Sequence, residues 1–172
     1  MNIEEINESQ WESLKSIRLE SLLDSPDAFC ISYEEANNLT DKEWKLLAAG
    51  KLGSQFLIAY DYKNAIGLVG ILDKKETYEI VSMWVKPAAR EQGVGKALIK
   101  TLLDHALSVG HTEVRLQVTS NNTSARCFYK KLGFVELAQT NEVKRKSDEG
   151  MIEMTWCYDN KVTQIKQLNS IE

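Results

Sequence analysis

The sequence of 172 residues predicts one α+β domain with a central mixed, mostly antiparallel sheet of six to seven strands, flanked by about four helices. Short apolar runs that alternate with polar residues predict the strands, and apolar residues spaced three and four apart predict the helices. The composition, 43% hydrophobic and 27% charged, is ordinary for a globular protein. We assign residues 1–160 to the domain and residues 161–172 to a polar C-terminal tail.

The N-terminal part of the chain predicts a short strand at 3–6 followed by two helices. Ser9 and Glu12 have the spacing of a capping box, in which each side chain bonds the other residue's amide, so we expect the first helix to begin there. Thr40 and Glu43 form a second such box at the start of the second helix. The buried face predicted for the first helix mixes apolar and polar residues: Leu14, Ile17, Arg18, Ser21 and Leu22.

From residue 55 onward, the spacing of apolar residues changes from that of helices to that of strands. Three apolar runs at 55–60, 65–72 and 78–85 are joined by short polar turns, which predicts an antiparallel meander. Gly67 and Gly70 interrupt the middle strand, where glycine indicates a bulge or a close approach of another backbone.

After Gly93 the spacing becomes helical again, and the remaining elements alternate between strand and helix. A strand is expected at 114–118, a helix at 123–132 and two further strands at 134–138 and 151–158. The polar segment 141–150 between the last two strands predicts a hairpin loop.

Charge and cysteine content exclude several classes of function. The net charge of −4 argues against nucleic acid as a partner, because phosphate binding requires a basic surface. No apolar stretch approaches the ~20 residues that span a membrane, so we expect no membrane association. The three cysteines, Cys30, Cys127 and Cys157, lie far apart without a CxxC pair, which predicts reduced thiols, no metal site and a cytoplasmic location.

A glycine-rich loop follows the third strand of the meander. The strand ends at Val85, and a helix begins beside Gly93 and Gly95, with Arg90 and Lys96 as flanking cations. The free amides of a helix's first turn bind anions, and residues without side chains allow a diphosphate to approach the backbone. The spacing matches neither the Walker A nor the Rossmann motif. The alternative is a glycine-containing helix start that binds nothing.

Two segments resemble motifs of one family. Arg90-x-x-Gly93-x-Gly95 resembles motif A of the Gcn5-related N-acetyltransferase (GNAT) superfamily, and the segment 122–134 is similar to that family's Asn-x-x-Ala-x-x-x-Tyr-x-x-x-Gly-Phe pattern. The resemblance covers about residues 1–158. It implies the GNAT acyl-CoA N-acyltransferase fold, in which two central strands part and acetyl-CoA lies between them.

The resemblance also implies a set of cofactor-binding residues and no metal. The pantetheine arm would pair with the backbone of Met83, Trp84 and Val85, and Asn122, Ala125 and Tyr129 would line the same cleft. The pyrophosphate would bind at the glycine loop, formed by Arg90, Gln92, Gly93, Val94, Gly95 and Lys96. The implied activity is direct transfer of the acetyl group to a primary amine, on a small molecule or a peptide, within a ternary complex. The alternative is a non-catalytic acyl-CoA-binding regulator.

Two residues are candidates for acid–base catalysis. Tyr129 would donate a proton to the departing thiolate; the alternative is a core tyrosine with a satisfied hydroxyl. Glu79 stands six residues before Val85, and strand alternation predicts that it shares a face with Val81, Met83 and Val85. That offset resembles the position of the base glutamate in the histone-acetylating branch of the family, which implies that Glu79 would be the base. Its alternative is a strand carboxylate paired with a lysine across the sheet.

The acceptor site has the weakest sequence signal. In this superfamily the first two helices and the loop between the last two strands shape it, which here correspond to about residues 9–50 and 141–150. Within the first of these ranges, Phe29 and Tyr33 would line the site, with Glu34 and Glu35 holding the cationic amine. The alternative for each is a solvated helix face. The family also implies a possible homodimer.

Overall fold

A computed structural model describes residues 1–137 and 150–159 of the chain. Within these residues the protein forms one seven-stranded sheet and five α-helices. The strands are β1 (Asn2–Glu5), β2 (Gln55–Asp61), β3 (Asn64–Lys74), β4 (Thr77–Val85), β5 (Glu113–Thr119), β6 (Val135–Glu136) and β7 (Met151–Cys157). The helices are α1 (Trp11–Asp24), α2 (Tyr33–Asn37), α3 (Asp41–Ala48), α4 (Val94–Ser108) and α5 (Thr123–Lys131).

The sheet confirms the predicted α+β class. Its strand order is β1-β2-β3-β4-β5-β7-β6, and every pair is antiparallel except β4 with β5. The meander is β2–β3–β4, as predicted. The hairpin loop expected at 141–150 lies almost wholly outside the described residues, as does the tail at 161–172, and β6 is shorter than the strand expected at 134–138. No helix in the described part of the chain is long and apolar enough to span a membrane.

Two apolar cores lie on opposite faces of this sheet. One face packs against α4 and α5 through residues such as Tyr78, Leu98 and Tyr129. The other face packs against α1 and α3 through residues such as Trp84 and Trp44. We call these the α4–α5 face and the α1–α3 face. The central strands β2, β3 and β4 each contribute side chains to both cores.

The start of α1 differs from the prediction, whereas that of α3 does not. Asn7, and not Ser9, is the capping residue, and it caps a short 3-10 helix at Glu8–Gln10. Its Oδ1 accepts from the Ser9 amide at 2.9 Å, and the Gln10 side chain accepts from the Asn7 amide at 3.2 Å. The Ser9 hydroxyl donates to Asn7 at 2.7 Å, and no side chain caps the start of α1. This 3-10 helix precedes α1. The capping box of Thr40 and Glu43 is confirmed at the start of α3.

Gly67 and Gly70 are confirmed as points of close approach in β3. A Cβ added to Gly70 would lie 2.8 Å from Val81 Cγ2, and one added to Gly67 would lie 3.1 Å from Leu98 Cδ1. Gly70 thus leaves room for the Val81 side chain of the neighbouring strand β4, and Gly67 leaves room for Leu98 of α4.

Candidate active site

A cleft opens where the two parallel strands separate. β4 and β5 pair only at Glu79 with Arg115 and at Ile80 with Leu116, although both strands continue beyond these positions. The cleft encloses about 530 Å³ of space, including the part open to solvent. Its walls come from β4, β5, α5 and the turn after α1, and include Ala28, Phe29, Val81, Ser82, Met83, Gln117, Thr119, Asn122, Ala125 and Tyr129.

A bulge in β4 lies at the wall of this cleft. Ser82 has a φ of 54°, which is rare for a residue with a side chain, and the register between β3 and β4 shifts here. Gly70 pairs with Val81 and Leu68 pairs with Trp84, so two residues of β4 face the single Val69 of β3. The bulge follows directly after Ile80, the last residue of β4 that pairs with β5, and so lies where the cleft begins.

The bulge also reverses the faces of β4, so one prediction is wrong. Before it, Tyr78 and Ile80 point to the α4–α5 face, and alternation places Glu79 and Val81 on the α1–α3 face. After it, Trp84 belongs to the α1–α3 core, while Met83 and Val85 pack on the α4–α5 side. Glu79 therefore shares a face with Val81 but not with Met83 and Val85.

The glycine loop presents free backbone amides. Gly93 precedes α4 with a φ of 81°, and a Cβ there would meet nothing within 4 Å. The first backbone hydrogen bond of α4 runs from the Ala97 amide to the Gly93 carbonyl at 3.0 Å. The amides of Val94, Gly95 and Lys96 precede that bond and are left for an external acceptor. Lys96 is exposed and makes no ion pair with another described residue.

Gly95 lacks a side chain for a different reason from Gly93. A Cβ at Gly95 would lie 3.1 Å from Phe128 Cζ and 3.3 Å from Met83 Cε. Gly95 thus allows α4 to approach α5 and β4 closely. Of the two glycines that the motif contains, one sets the backbone conformation of the loop and the other sets the packing of the helix behind it.

Arg90 is held by the protein itself. Its Nε donates to the Val85 carbonyl at 2.9 Å, and its Nη2 pairs with Asp24 at the end of α1. The Asp24 carboxylate also accepts from Trp84 Nε1 at 2.8 Å. The hydrogen bond from Trp84, together with those from Ser25 and Arg90, lowers the pKa of Asp24. These contacts tie α1 to β4 and to the glycine loop.

Tyr129 is a buried tyrosine whose hydroxyl has no hydrogen-bond partner among the described residues. Its ring packs edge-on against Phe128 and Phe134, with centroids 5.2 and 5.5 Å away, and it lines the cleft. Burial raises the pKa of Tyr129, so the hydroxyl keeps its proton at neutral pH. In residues 1–137 and 150–159 nothing hydrogen-bonds this hydroxyl, so a proton donor faces the cleft without an acceptor.

Asn122 and Ala125 meet at the start of α5, on the same wall. The Asn122 side-chain oxygen accepts from the Ala125 amide at 3.0 Å and so caps the helix. This bond fixes the turn that places Tyr129, one helical turn further along, against the cleft.

Glu79 lies outside the cleft wall. Its carboxylate is 3.3 Å from Lys74 Nζ on β3 and accepts from the Thr77 hydroxyl at the same distance. Its side chain is 31% exposed. The cross-strand lysine pair considered from the sequence is thus present.

Four residues were predicted to line the acceptor site, and in the described structure Phe29 lines the cleft whereas the other three do not. Tyr33 is half-buried and packs on the α1–α3 core, and Glu34 is exposed. Glu35 instead caps α2, where it accepts from the Ser32 amide at 2.8 Å. That backbone bond lowers the pKa of Glu35.

Sequence reasoning missed three residues near the site. Ser82 carries no local signal of its positive φ, and the pairing of Asp24 with Arg90 joins positions that are 66 residues apart. Arg18 did carry a signal, because it is a charged residue at a position that helical spacing predicts to be buried. Among the described residues, no group of three potential metal ligands occurs.

Comparison with known proteins identifies what this geometry resembles. The model of the acetyltransferase (GNAT) family matches residues 7–134. Human N-acetyltransferase 8 is 30% identical over 94 residues, which cover 51% of this chain and 41% of that protein. Mycothiol acetyltransferase from Renibacterium salmoninarum is 28% identical over 130 residues, or 76% of this chain and 32% of that protein. The chain spans about two fifths of the length of the first curated relatives that it matches.

Solved structures share the fold at low identity. A GNAT-family acetyltransferase from Streptococcus pneumoniae aligns with a TM-score of 0.74 and 18% identity, covering 91% of this chain and 99% of that one. YncA from Salmonella typhimurium, solved with acetyl-CoA, aligns with a TM-score of 0.71 and 20% identity, covering 93% and 95%. PaiA from Thermoplasma acidophilum, solved with coenzyme A, gives 0.67 and 20%, covering 92% and 100%.

Proposed function

Because this chain belongs to the acetyltransferase (GNAT) family, we propose that it transfers the acetyl group of acetyl-CoA directly to a primary amine on a small molecule or peptide. The observation that carries the proposal is the cleft between β4 and β5, which is lined by Tyr129, a protonated tyrosine with no hydrogen-bond partner for its hydroxyl in residues 1–137 and 150–159. Solved proteins of the same fold hold coenzyme A or acetyl-CoA.

The backbone of this chain fits the cofactor. The amides from Gln92 to Lys96 would bind the pyrophosphate, with Lys96 as the available cation, and the space beside Gly93 is open. Arg90 would act indirectly, by fixing the loop through Val85 and Asp24. Beyond Ile80, the backbone of β4 that faces β5 has no partner strand in the described structure, so Met83, Trp84 and Val85 can pair with pantetheine as they would with an added strand.

The chemistry requires a proton donor and a neutral amine. Tyr129 would protonate the departing thiolate, and its burial keeps the hydroxyl protonated until then. An alkylamine with a pKa of about 10.4 is almost entirely charged at pH 7, so a base must assist. Glu79 is our candidate for the base. It lies on the α1–α3 face next to Val81 and, being outside the cleft wall, would act through water.

Backbone amides would stabilise the negative charge that develops on the thioester oxygen. The bulge at Ser82 takes part of β4 out of regular pairing at the cleft wall. Amides from this bulge to Val85 would then be preorganised donors in a site partly shielded from water, where such bonds are strongest.

Initial-velocity measurements of thiol release test this function. With acetyl-CoA and a panel of primary amines, we expect amine-dependent release, and double-reciprocal plots that intersect, as direct transfer in a ternary complex requires. Parallel plots would contradict direct transfer. Binding of acetyl-CoA without amine-dependent release from any amine would contradict the enzyme assignment and favour a non-catalytic acyl-CoA-binding protein.

A further inference from the structure

Arg18 is a buried cation that no other residue in the described part of the chain pairs with. Its residue exposure is 7%, and its Nη1 atom is fully buried without an acceptor. In the described parts of the chain, no residue forms a hydrogen bond or an ion pair with its guanidinium. Burial lowers the pKa of Arg18 to about 10, so it still carries its charge at neutral pH.

An unpaired buried charge is unfavourable, and no carboxylate in the described structure pairs with Arg18. Isolated charges in protein interiors are normally paired or hydrogen-bonded, because desolvation of a lone ion is costly. The two acids next along α1 are engaged elsewhere: Glu20 pairs with Lys86 at 3.0 Å, and Asp24 pairs with Arg90. The same contacts occupy Lys86 and Arg90. Of the two cations of α1, Lys15 pairs with Asp41, whereas Arg18 forms no ion pair with any described residue.

Arg18 lies directly behind the cleft wall. Its guanidinium carbon is 4.4 Å from the centre of the Phe29 ring, which is a stacking contact. Phe29 and the neighbouring Ala28 line the cleft opposite Tyr129 and α5. This wall belongs to the α1–α3 side, which would receive the acceptor if the glycine loop and α5 hold the cofactor.

We propose that a carboxylate of the acceptor reaches the Arg18 guanidinium past the Phe29 ring and binds it, so that the acceptor is a small aminocarboxylic acid. The guanidinium fork matches the two oxygens of a carboxylate, and one cation balances one such anion, whereas a phosphate dianion would need a second. The inference rests on the proposed acetyl transfer and adds to it the chemical class of the acceptor.

Matched pairs of acceptors test the site. We would measure kcat/KM for thiol release with glycine, β-alanine and 4-aminobutyrate, each against its primary amide. The carboxylate raises the pKa of the amine beside it, so less of the amine is neutral, and amine reactivity alone favours the amides. For at least one pair we expect wild type to prefer the carboxylate about tenfold or more, as expected for a buried charge-assisted contact.

Variants on one helix assign the preference to Arg18. Arg18→Met should abolish it while keeping activity on the amide within about threefold, and Arg18→Lys should keep part of it. Lys15→Met, which removes a cation of α1 that pairs with Asp41, should retain the wild-type preference. The melting temperature of Arg18→Met should equal or exceed that of wild type, because an uncompensated buried charge is removed.

Each contrary result is distinguishable. Equal activity on acids and amides in wild type, or an equal loss on both in Arg18→Met, would overturn the carboxylate site and leave acetyl transfer standing. A clearly lower melting temperature of Arg18→Met would show that the guanidinium is already compensated within the fold and would overturn its role as a ligand. Release with neither member of any pair, nor with any other amine, would overturn the proposed function and the acceptor class together.

Discussion

The two walls of the cleft differ in the groups that they present, which are mainly backbone groups on one wall and side chains on the other. On the wall formed by the glycine loop and α5, we propose that recognition depends on backbone amides, two glycines and a helix cap, and Tyr129 is the one side chain there to which we assign chemistry. On the wall formed by the turn after α1, it would depend on individual side chains, namely Phe29 and, behind it, Arg18. β4 joins the walls, and its bulge at Ser82 directs Trp84 to one side and Met83 to the other.

The difference teaches where specificity can change. A wall made of backbone keeps its function only while the loop conformation is kept, which the contacts of Arg90 with Val85 and Asp24 enforce. A wall made of side chains can change its ligand through one substitution without moving the backbone. Substitutions on either wall therefore test whether the two walls differ in this way.

Removing the Tyr129 hydroxyl should have the largest effect. We expect Tyr129→Phe to lower kcat about 10³-fold, within the usual range for general acid catalysis, and to leave acetyl-CoA affinity within about twofold. Because the buried hydroxyl has no described partner, the melting temperature should not fall. Steady-state kinetics and a melting curve check this. Tyr62→Phe, at an exposed turn, is the control. Unchanged kcat in Tyr129→Phe would remove this residue from the mechanism.

Removing the Glu79 carboxylate should have a smaller effect on the same rate. Because a base that acts through water lies near the lower end of the usual range, we expect Glu79→Gln to lower kcat about 10²-fold. The loss should shrink at high pH, where more of the amine is neutral without assistance. The pH dependence of kcat is the measurement, and Glu76→Gln in the exposed β3–β4 turn is its control. An equal profile for wild type and Glu79→Gln would assign Glu79 to its ion pair with Lys74 alone.

The contrast between the walls also explains what the sequence could predict. The meander and the cap at Thr40 follow from local spacing, and the glycine loop follows from residue types that its backbone requires. The sequence could not place Glu79 relative to Met83, because a single extra residue at Ser82 reverses every later side chain of β4. The free charge of Arg18 was equally hidden, since it depends on where Glu20 and Asp24 find partners.

Calorimetric titration of matched glycine variants tests the claim that the backbone of the glycine loop holds acetyl-CoA. Gly93 and Gly53 both have positive φ, 81° and 94°, and a Cβ at either would meet nothing within 4 Å. Alanine at each should therefore introduce a similar strain, about 1 kcal/mol. We predict that Gly93→Ala weakens acetyl-CoA binding about tenfold, as the loop shifts to relieve that strain, while Gly53→Ala binds like wild type. Equal affinity in all three proteins, or no binding by wild type, would contradict the claim.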